Sequence, residues 1–257
     1  MNNDTLFHLG FNQNKYRALY AILPGDPGRV PKIAEFLDNP QKICQNREYN
    51  SYIGTISGEN VIVCSTGIGG PSAAIAVEEL YMAGVRNFVR VGTCGAIRED
   101  ILGGDIIIAE SAVRQEGTSL HYAPPEYPAT ADFSITQALF NSANQLNKSI
   151  HVGVVQSKDS FYGQHSPERM PVSDDLLSKW NAYKKLGVLA SEMECAAIFT
   201  VSASLGCKAG CVLNVIWNQE RAKVGLSNPE CHDTTDVIKC TISAINLLIS
   251  KQQLKIR

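Results

Sequence analysis

The stretch "VIVCSTGIGGPSAAIAVEELYMAG", residues 61–84, decides the fold class. It opens on a flat apolar run, the pattern of a strand covered on both faces. "GIGGPS", residues 67–72, then breaks the run, and Pro71 suits a first helical position. From Ser72 onward, apolar residues at 73, 76, 77, 80 and 81 keep to one helical face, and Gly84 supplies a stop. A buried strand, a tight turn and an amphipathic helix in succession form the unit of a layered α/β protein. The turn fails as a dinucleotide fingerprint, because Gly67-x-Gly69-x-x-Ser72 lacks the third glycine.

The alternation continues on both sides. Strand-like runs fall at 20–23, 88–91, 105–109, 151–155 and 209–216, with a shorter one at 187–190. "YIGTI" and "VIVCS" flank Ser57-Gly58-Glu59-Asn60 as a hairpin. Further helical stripes run through Met193, Ala196, Ala197, Val201 and Leu205, and through Ile238, Ile242, Ile245 and Leu248. Long loops are expected over 115–132, where Pro124, Pro125 and Pro128 cluster, and over 156–175. The expected fold is α/β: a single domain over 1–257 with a mixed central β-sheet flanked by helices.

Bulk composition narrows the function. The 257 residues are 44% hydrophobic and 19% charged, with a formal net charge of -2. That balance gives no basic surplus for nucleic acid or an anionic membrane, so any anion site must be local. "MNNDTLFHLG" has no basic n-region or apolar h-region, and no apolar stretch approaches the ~20 residues of a membrane span. The eight cysteines include Cys64, Cys94, Cys195 and Cys211 inside apolar segments, and no Cys-x-x-Cys occurs. Buried thiols in a cytoplasmic protein are expected rather than disulfides or a zinc site.

Open α/β sheets bind ligands at strand ends. After the run 20–23 come Pro24-Gly25-Asp26-Pro27-Gly28 and then Arg29, a rigid turn that delivers one guanidinium. Arg90 interrupts the apolar "FVRVG", and a buried guanidinium calls for an anion. Glu192 and Glu194 flank Met193; strand alternation would aim them at opposite faces, leaving one free to meet a ligand. His121 reads as structural, and no nucleophile elbow is present.

Taken together, "FHLG" (7–10), "PGDPGR" (24–29), "REYNSY" (47–52), "CSTGIGGPSAAIAVEEL" (64–80), "RVGTCGAI" (90–97), "SLHYAPPEYPA" (119–129), "KDSFYGQ" (158–164) and "SEMECA" (191–196) resemble the nucleoside phosphorylase family. The motifs keep the family's order and spacing over most of the chain. The resemblance implies reversible phosphorolysis of uridine, and of deoxyuridine or thymidine: nucleoside plus inorganic phosphate gives uracil (or thymine) and the pentose 1-phosphate. It implies phosphate ligands at Gly25, Arg29, Arg90 and Thr93, with Arg47 lent by a neighbouring subunit. Ribose would be held by Glu194, the Met193 backbone and a neighbour's His8, and the base by Phe161 and Gln164. Glu48, Ile68 and Ser72 match a monovalent-cation site, usually potassium, between paired subunits. No organic cofactor is implied, and the implied assembly is a homohexamer built as a trimer of dimers.

Two positions depart from the family's enteric pattern. There an arginine follows the base-reading glutamine after one residue; here the next is Arg169, five positions beyond Gln164. Gln219 stands where that pattern has a second base-side arginine. Contact to the uracil O4 is therefore expected from Arg169, His165 or water. Purine nucleoside phosphorylases of the same fold place an aspartate after the corresponding strand. Asn218 and Gln219 stand there instead, and neither is a general acid. A nucleosidase or a non-catalytic nucleoside-binding protein would have no use for Arg29, Arg47 and Arg90 together.

Overall fold

A computed structural model describes residues 4–256. Ten strands form one mixed sheet. They are β1 (Tyr20–Pro24), β2 (Asp38–Asn46), β3 (Tyr49–Ile56), β4 (Glu59–Cys64), β5 (Asn87–Ala96), β6 (Ile106–Gln115), β7 (Ala129–Thr130), β8 (Ile150–Lys158), β9 (Ala190–Glu192) and β10 (Lys208–Asn218). The helices are α1 (Arg29–Ala34), α2 (Gly70–Met82), α3 (Phe133–Ala143), α4 (Phe161–His165), α5 (Ser173–Lys185), α6 (Cys195–Ser204), α7 (Gln219–Lys223) and α8 (Thr235–Ile256).

The strand order is β10-β6-β8-β9-β5-β1-β4-β3-β2, with β7 beside β6. Because β5 also pairs with β10, the strands β5, β10, β6, β8 and β9 close into a ring. The long strand β5 makes this possible. Its residues 87–91 pair with β1, Gly95 and Ala96 pair with β9, and β10 runs along its other edge.

Flat apolar runs mean burial on both faces, and the packing bears this out. Ile22 points to a core shared with Ile33 of α1, Leu139 of α3 and Ile245 of α8. Its neighbour Leu23 points the opposite way, to Val77 and Leu80 of α2 and Phe199 of α6. The hairpin read at 57–60 is present: β3 and β4 pair antiparallel, and Ser57 and Gly58 take the positive φ that such a tight turn demands.

Several expectations are corrected. The segment 156–175 is not a loop throughout: β8 runs to Lys158, α4 and a 3-10 turn follow, and α5 begins at Ser173. Within 115–132 lie a 3-10 turn at Thr118–His121 and the short strand β7. The strand expected at 187–190 is β9, shifted to 190–192. β2 escapes a reading by apolar runs because it is an edge strand with mostly exposed side chains. The weakly apolar α5 escapes for a similar reason, burying only Trp180.

Candidate active site

The C-terminal ends of β1, β4, β5, β8, β9 and β10 open on a cavity of about 710 Å³, within the usual range for a small-molecule site. Gly25, Arg29, Arg90 and Thr93 line one part of it. Phe161, Gln164 and His165 line another, with Met193 and Glu194 lining it as well. The turn after β1 is knitted to the turn after β4 by backbone bonds from Thr66 to Pro24 and from Gly67 to Gly25. Glycine is required at 67, where φ is +68° and a Cβ would lie 2.8 Å from Glu48 Cγ. The rigid turn thus holds Arg29 at the first residue of α1, with its guanidinium at the cavity.

Arg90 emerges from the middle of β5 with 3% of its surface exposed. Gly92, two residues on along the same face, leaves room for it: a Cβ there would meet Arg90 Nη2 at 2.9 Å. Two carboxylates flank the guanidinium. Nη2 donates to Glu194 Oε2, and Nε lies 3.2 Å from Glu192 Oε2, off the hydrogen-bond line. The expectation that only one of the two glutamates could turn to this side is therefore wrong. Strand geometry ends at Glu192, and Glu194 already has φ −135° and ψ −23°, which swings its side chain back. Glu192 also accepts from the Glu194 and Cys195 amides, while Glu194 accepts from the Gly69 amide at 2.6 Å.

The protein thus supplies Arg90 with its own counter-charge, and burial alone does not call for an external anion. What suits an anion here is a set of unused donors. Arg29 Nη1, Arg90 Nε and Arg90 Nη1 are buried without a hydrogen-bond acceptor. Burial and the charge of Arg90 lower the pKa of Arg29. For Arg90, burial is outweighed by Glu194 and Glu192, which hold it protonated. An anion beside Arg29 would relieve both pressures on it.

At the Phe161 end of the cavity, Gln164 Oε1 lies 2.6 Å from Ser191 Oγ, and Gln164 Nε2 donates to Gln219 Oε1 at 2.9 Å. Gln219, expected to leave a missing arginine contact, orients the amide instead. His165 lines the cavity and stacks on Trp217, with ring centroids 5.9 Å apart. Burial, then Lys158 and Lys223, lower its pKa. Arg169 is not brought to the site. It is exposed on the 3-10 turn, with its guanidinium 5.7 Å from the Tyr162 ring, because the four residues between it and Gln164 carry it past α4. Asn218 faces away as well: it caps α7 and donates to the carbonyls of Arg98 and Ile101.

His8 and Arg47 do not line this cavity. His8 Nδ1 lies 2.7 Å from Glu79 Oε1, and Asn46 Nδ2 donates to the His8 carbonyl at 2.7 Å. The second bond ties His8 to the β2–β3 turn, where Arg47 is exposed at φ +52°. Glu48, next in that turn, accepts from Ser72 Oγ at 2.8 Å. Its own backbone amide, followed by Ser72, Arg47 and His8, holds its carboxyl below the usual range against a smaller opposing push from burial. Ile68 is 79% exposed at the cavity edge. Sequence reasoning missed Lys158 and Ser191, both buried and cavity-lining. The signal was there in Lys158, a lysine closing a strand directly before the Phe161 motif.

A ring-closed mixed sheet whose strand ends open on one cavity with unpaired arginine donors, Arg90 on β5 and Arg29 at the start of α1, is the architecture of a nucleoside-cleaving phosphorylase. Residues 19–241 match the family model described as Phosphorylase superfamily, and the chain belongs to that family. The chain is similar to the uridine phosphorylase of Treponema pallidum, 47% identical over 248 residues and 96% of each chain. It is 41% identical to the uridine phosphorylase of Escherichia coli, over 97% of this chain and all of the relative. A guanosine phosphorylase of Halorubrum lacusprofundi is 40% identical over 89% of this chain and 93% of its own.

Proposed function

We propose that this chain is an enzyme that catalyses the reversible phosphorolysis of uridine to uracil and ribose 1-phosphate. The observation that carries the reading is one cavity holding unpaired arginine donors beside a Gln164 amide of fixed orientation. The uridine phosphorylases among its relatives, similar over nearly their whole length, support it. Arg29, Arg90, Thr93 and Gly25 would hold phosphate below the sugar, and Glu194 and Met193 would hold the ribose. As the glycosidic bond breaks, the phosphate dianion faces a sugar of oxocarbenium character, and the electron pair departs with the base. Gln164 can donate to one carbonyl while accepting from N3–H, since its second amide hydrogen and second lone pair remain free.

The guanosine phosphorylase relative makes a purine reading the one to exclude. Asn218 argues against it: its side chain is committed to the cap of α7 and to two backbone carbonyls. The test is cleavage of uridine, thymidine and inosine, each with and without phosphate. Uridine cleavage strictly dependent on phosphate is expected, with inosine left intact. Equal rates without phosphate would mean a nucleosidase, and efficient inosine cleavage a purine enzyme.

The reading extends to assembly. His8 and Arg47, bound together outside their own chain's cavity, would enter a partner's cavity across a two-fold interface, within a hexamer of three dimers. The exposed Phe7 and Ile68, 80% and 79% accessible, suit such an interface. The Glu48 carboxylate and the Ser72 hydroxyl that meets it offer hard oxygen donors. With Ile68, and with their copies from the partner, they would hold a potassium ion there. Eight free thiols and no helix among the described residues long and apolar enough to cross a membrane agree with a cytoplasmic enzyme.

A further inference from the structure

Arg169 lies outside the cavity, and Gln219, where the family pattern has an arginine, is engaged with Gln164; His165, the other side chain expected at O4, has its pKa pushed down by burial and brings no charge there at neutral pH. The cations lining the cavity are Arg29, Arg90 and Lys158. Arg90 is held by Glu192 and Glu194, and Arg29 stands beside it. Lys158, at the end of β8, remains.

We propose that Lys158 is the catalytic cation that serves the second carbonyl of the departing uracil, on the far side of N3–H from the carbonyl served by Gln164 Nε2. This rests on the phosphorolytic reading of the site. The pyrimidine edge presents carbonyl, N3–H and carbonyl in a row. Against it the protein presents Gln164 Nε2, then Gln164 Oε1, then whatever lies beyond Oε1. What lies beyond is Ser191 Oγ, 2.6 Å from Oε1, and Lys158 Nζ, which donates to that hydroxyl at 2.7 Å. Ser191 Oγ also lies 2.5 Å from Gln156 Oε1, so its one hydrogen is shared between two amides. Lys158 Nζ is 5.9 Å from the centroid of Phe161, the aromatic wall of the base half.

The ammonium is otherwise under-used. Lys158 is 6% exposed, makes no ion pair among the described residues, and has two further hydrogens beyond the one given to Ser191. A buried cation with a single neutral partner is expensive unless its position has a use. In the reaction, a phosphate oxygen bonds to C1′ and the N1–C1′ electron pair moves into the ring, spreading onto both carbonyl oxygens. Lys158 hydrogen-bonds the oxygen that Gln164 does not reach, and the free uracil anion later takes its proton from water. The groups whose charge the ammonium feels or acts on are Glu192 on β9, Glu194 at the start of α6, Cys94 on β5 and His165 on α4, with Arg90 lining the same cavity. Burial pushes the Lys158 pKa down to about 8 against the pull of the two glutamates. The charge needed at the leaving group therefore disappears as pH rises through that value.

Phosphate-dependent cleavage of uridine by the wild-type enzyme is measured first; its absence defeats the phosphorolytic reading itself, before Lys158 is tested. Given that activity, Lys158→Met should lower kcat/KM for uridine on the order of 100-fold, the usual loss of one preorganised donor to a developing anion. With 5-fluorouridine, whose base leaves more readily as an anion, the loss should shrink below about 10-fold. Lys158→Arg should retain more activity and move the basic limb of the kcat/KM profile from near pH 8 to higher pH. That limb decides the matter alone if the methionine variant does not fold. A folded methionine variant with wild-type kcat/KM overturns the proposal. So do equal losses on both substrates, or an arginine variant whose basic limb has not moved.

Discussion

Arg90 stands in the middle of a ten-residue strand, paired on both sides, with two buried carboxylates against it. Gln164 rides a five-residue helix whose Phe161 and Tyr162 are 50% and 63% exposed. The Arg90 end of the cavity is fixed by the sheet, and the Gln164 end by side-chain hydrogen bonds between Gln164, Ser191 and Gln219. The contrast matches what each half must do. In the proposed reaction phosphate would be bound through charge, which needs rigid, buried donors. The base is read by hydrogen-bond pattern, which a short helix braced by neighbouring amides can adjust.

The largest expected effect falls on the sheet-borne half. Arg90→Ala should lower kcat/KM about 1000-fold or more, as the loss of a charge-assisted contact to the reacting anion. It should also destabilise the fold by about 3–5 kcal/mol, because Glu192 and Glu194 lose their buried partner. Urea unfolding measures the second effect. An active, fully stable Arg90→Ala enzyme would erase the distinction between the halves.

Next comes the proposed contribution of a partner subunit. Arg47→Ala and Glu194→Ala chains should each be nearly inactive alone. Unfolded and refolded together, they should regain roughly a quarter of wild-type activity, since half the dimers are mixed and half of those sites carry neither defect. Mixed dimers confirmed by mass but still inactive would remove Arg47 from the partner's site.

Smaller losses are expected in the base half. Gln164→Ala leaves polar groups of the base unpaired and should lower kcat/KM about 10- to 100-fold. Gln219→Ala only frees the amide to rotate, so about 3- to 10-fold is expected. A Gln219 effect larger than that of Gln164 would mean that Gln219 itself meets the base. The smallest effect sharpens the boundary of the site: Arg169→Ala should leave uridine turnover unchanged within about twofold, as for other exposed residues. A large loss would mean that the turn at Pro167–Arg169 folds inward when substrate binds.

How much was legible in advance follows the same division. Strands and helices buried on a continuous face were readable from apolar runs and 3.6-residue spacing, as at 61–84. The edge strand β2 and the helix α5 were not, because neither is built around a buried apolar face. Arg90 was readable because an arginine within an apolar strand is out of place unless used, whereas Arg29, which follows a turn, was readable only through the family resemblance. Glu192 and Glu194 were misread, because alternation holds only while the strand lasts.

By itself the sequence determined the α/β class, the buried strands and Arg90, since each follows from local pattern and the expense of burying charge. Only the tertiary structure decided the closing of the ring through β5 and β10, which depends on pairings more than a hundred residues apart. It alone placed Arg169 outside, Gln219 behind Gln164, and Lys158 beside Ser191. Spacing along a chain does not fix direction in space: a residue five positions past a ligand can face solvent, and one from another strand can stand beside it.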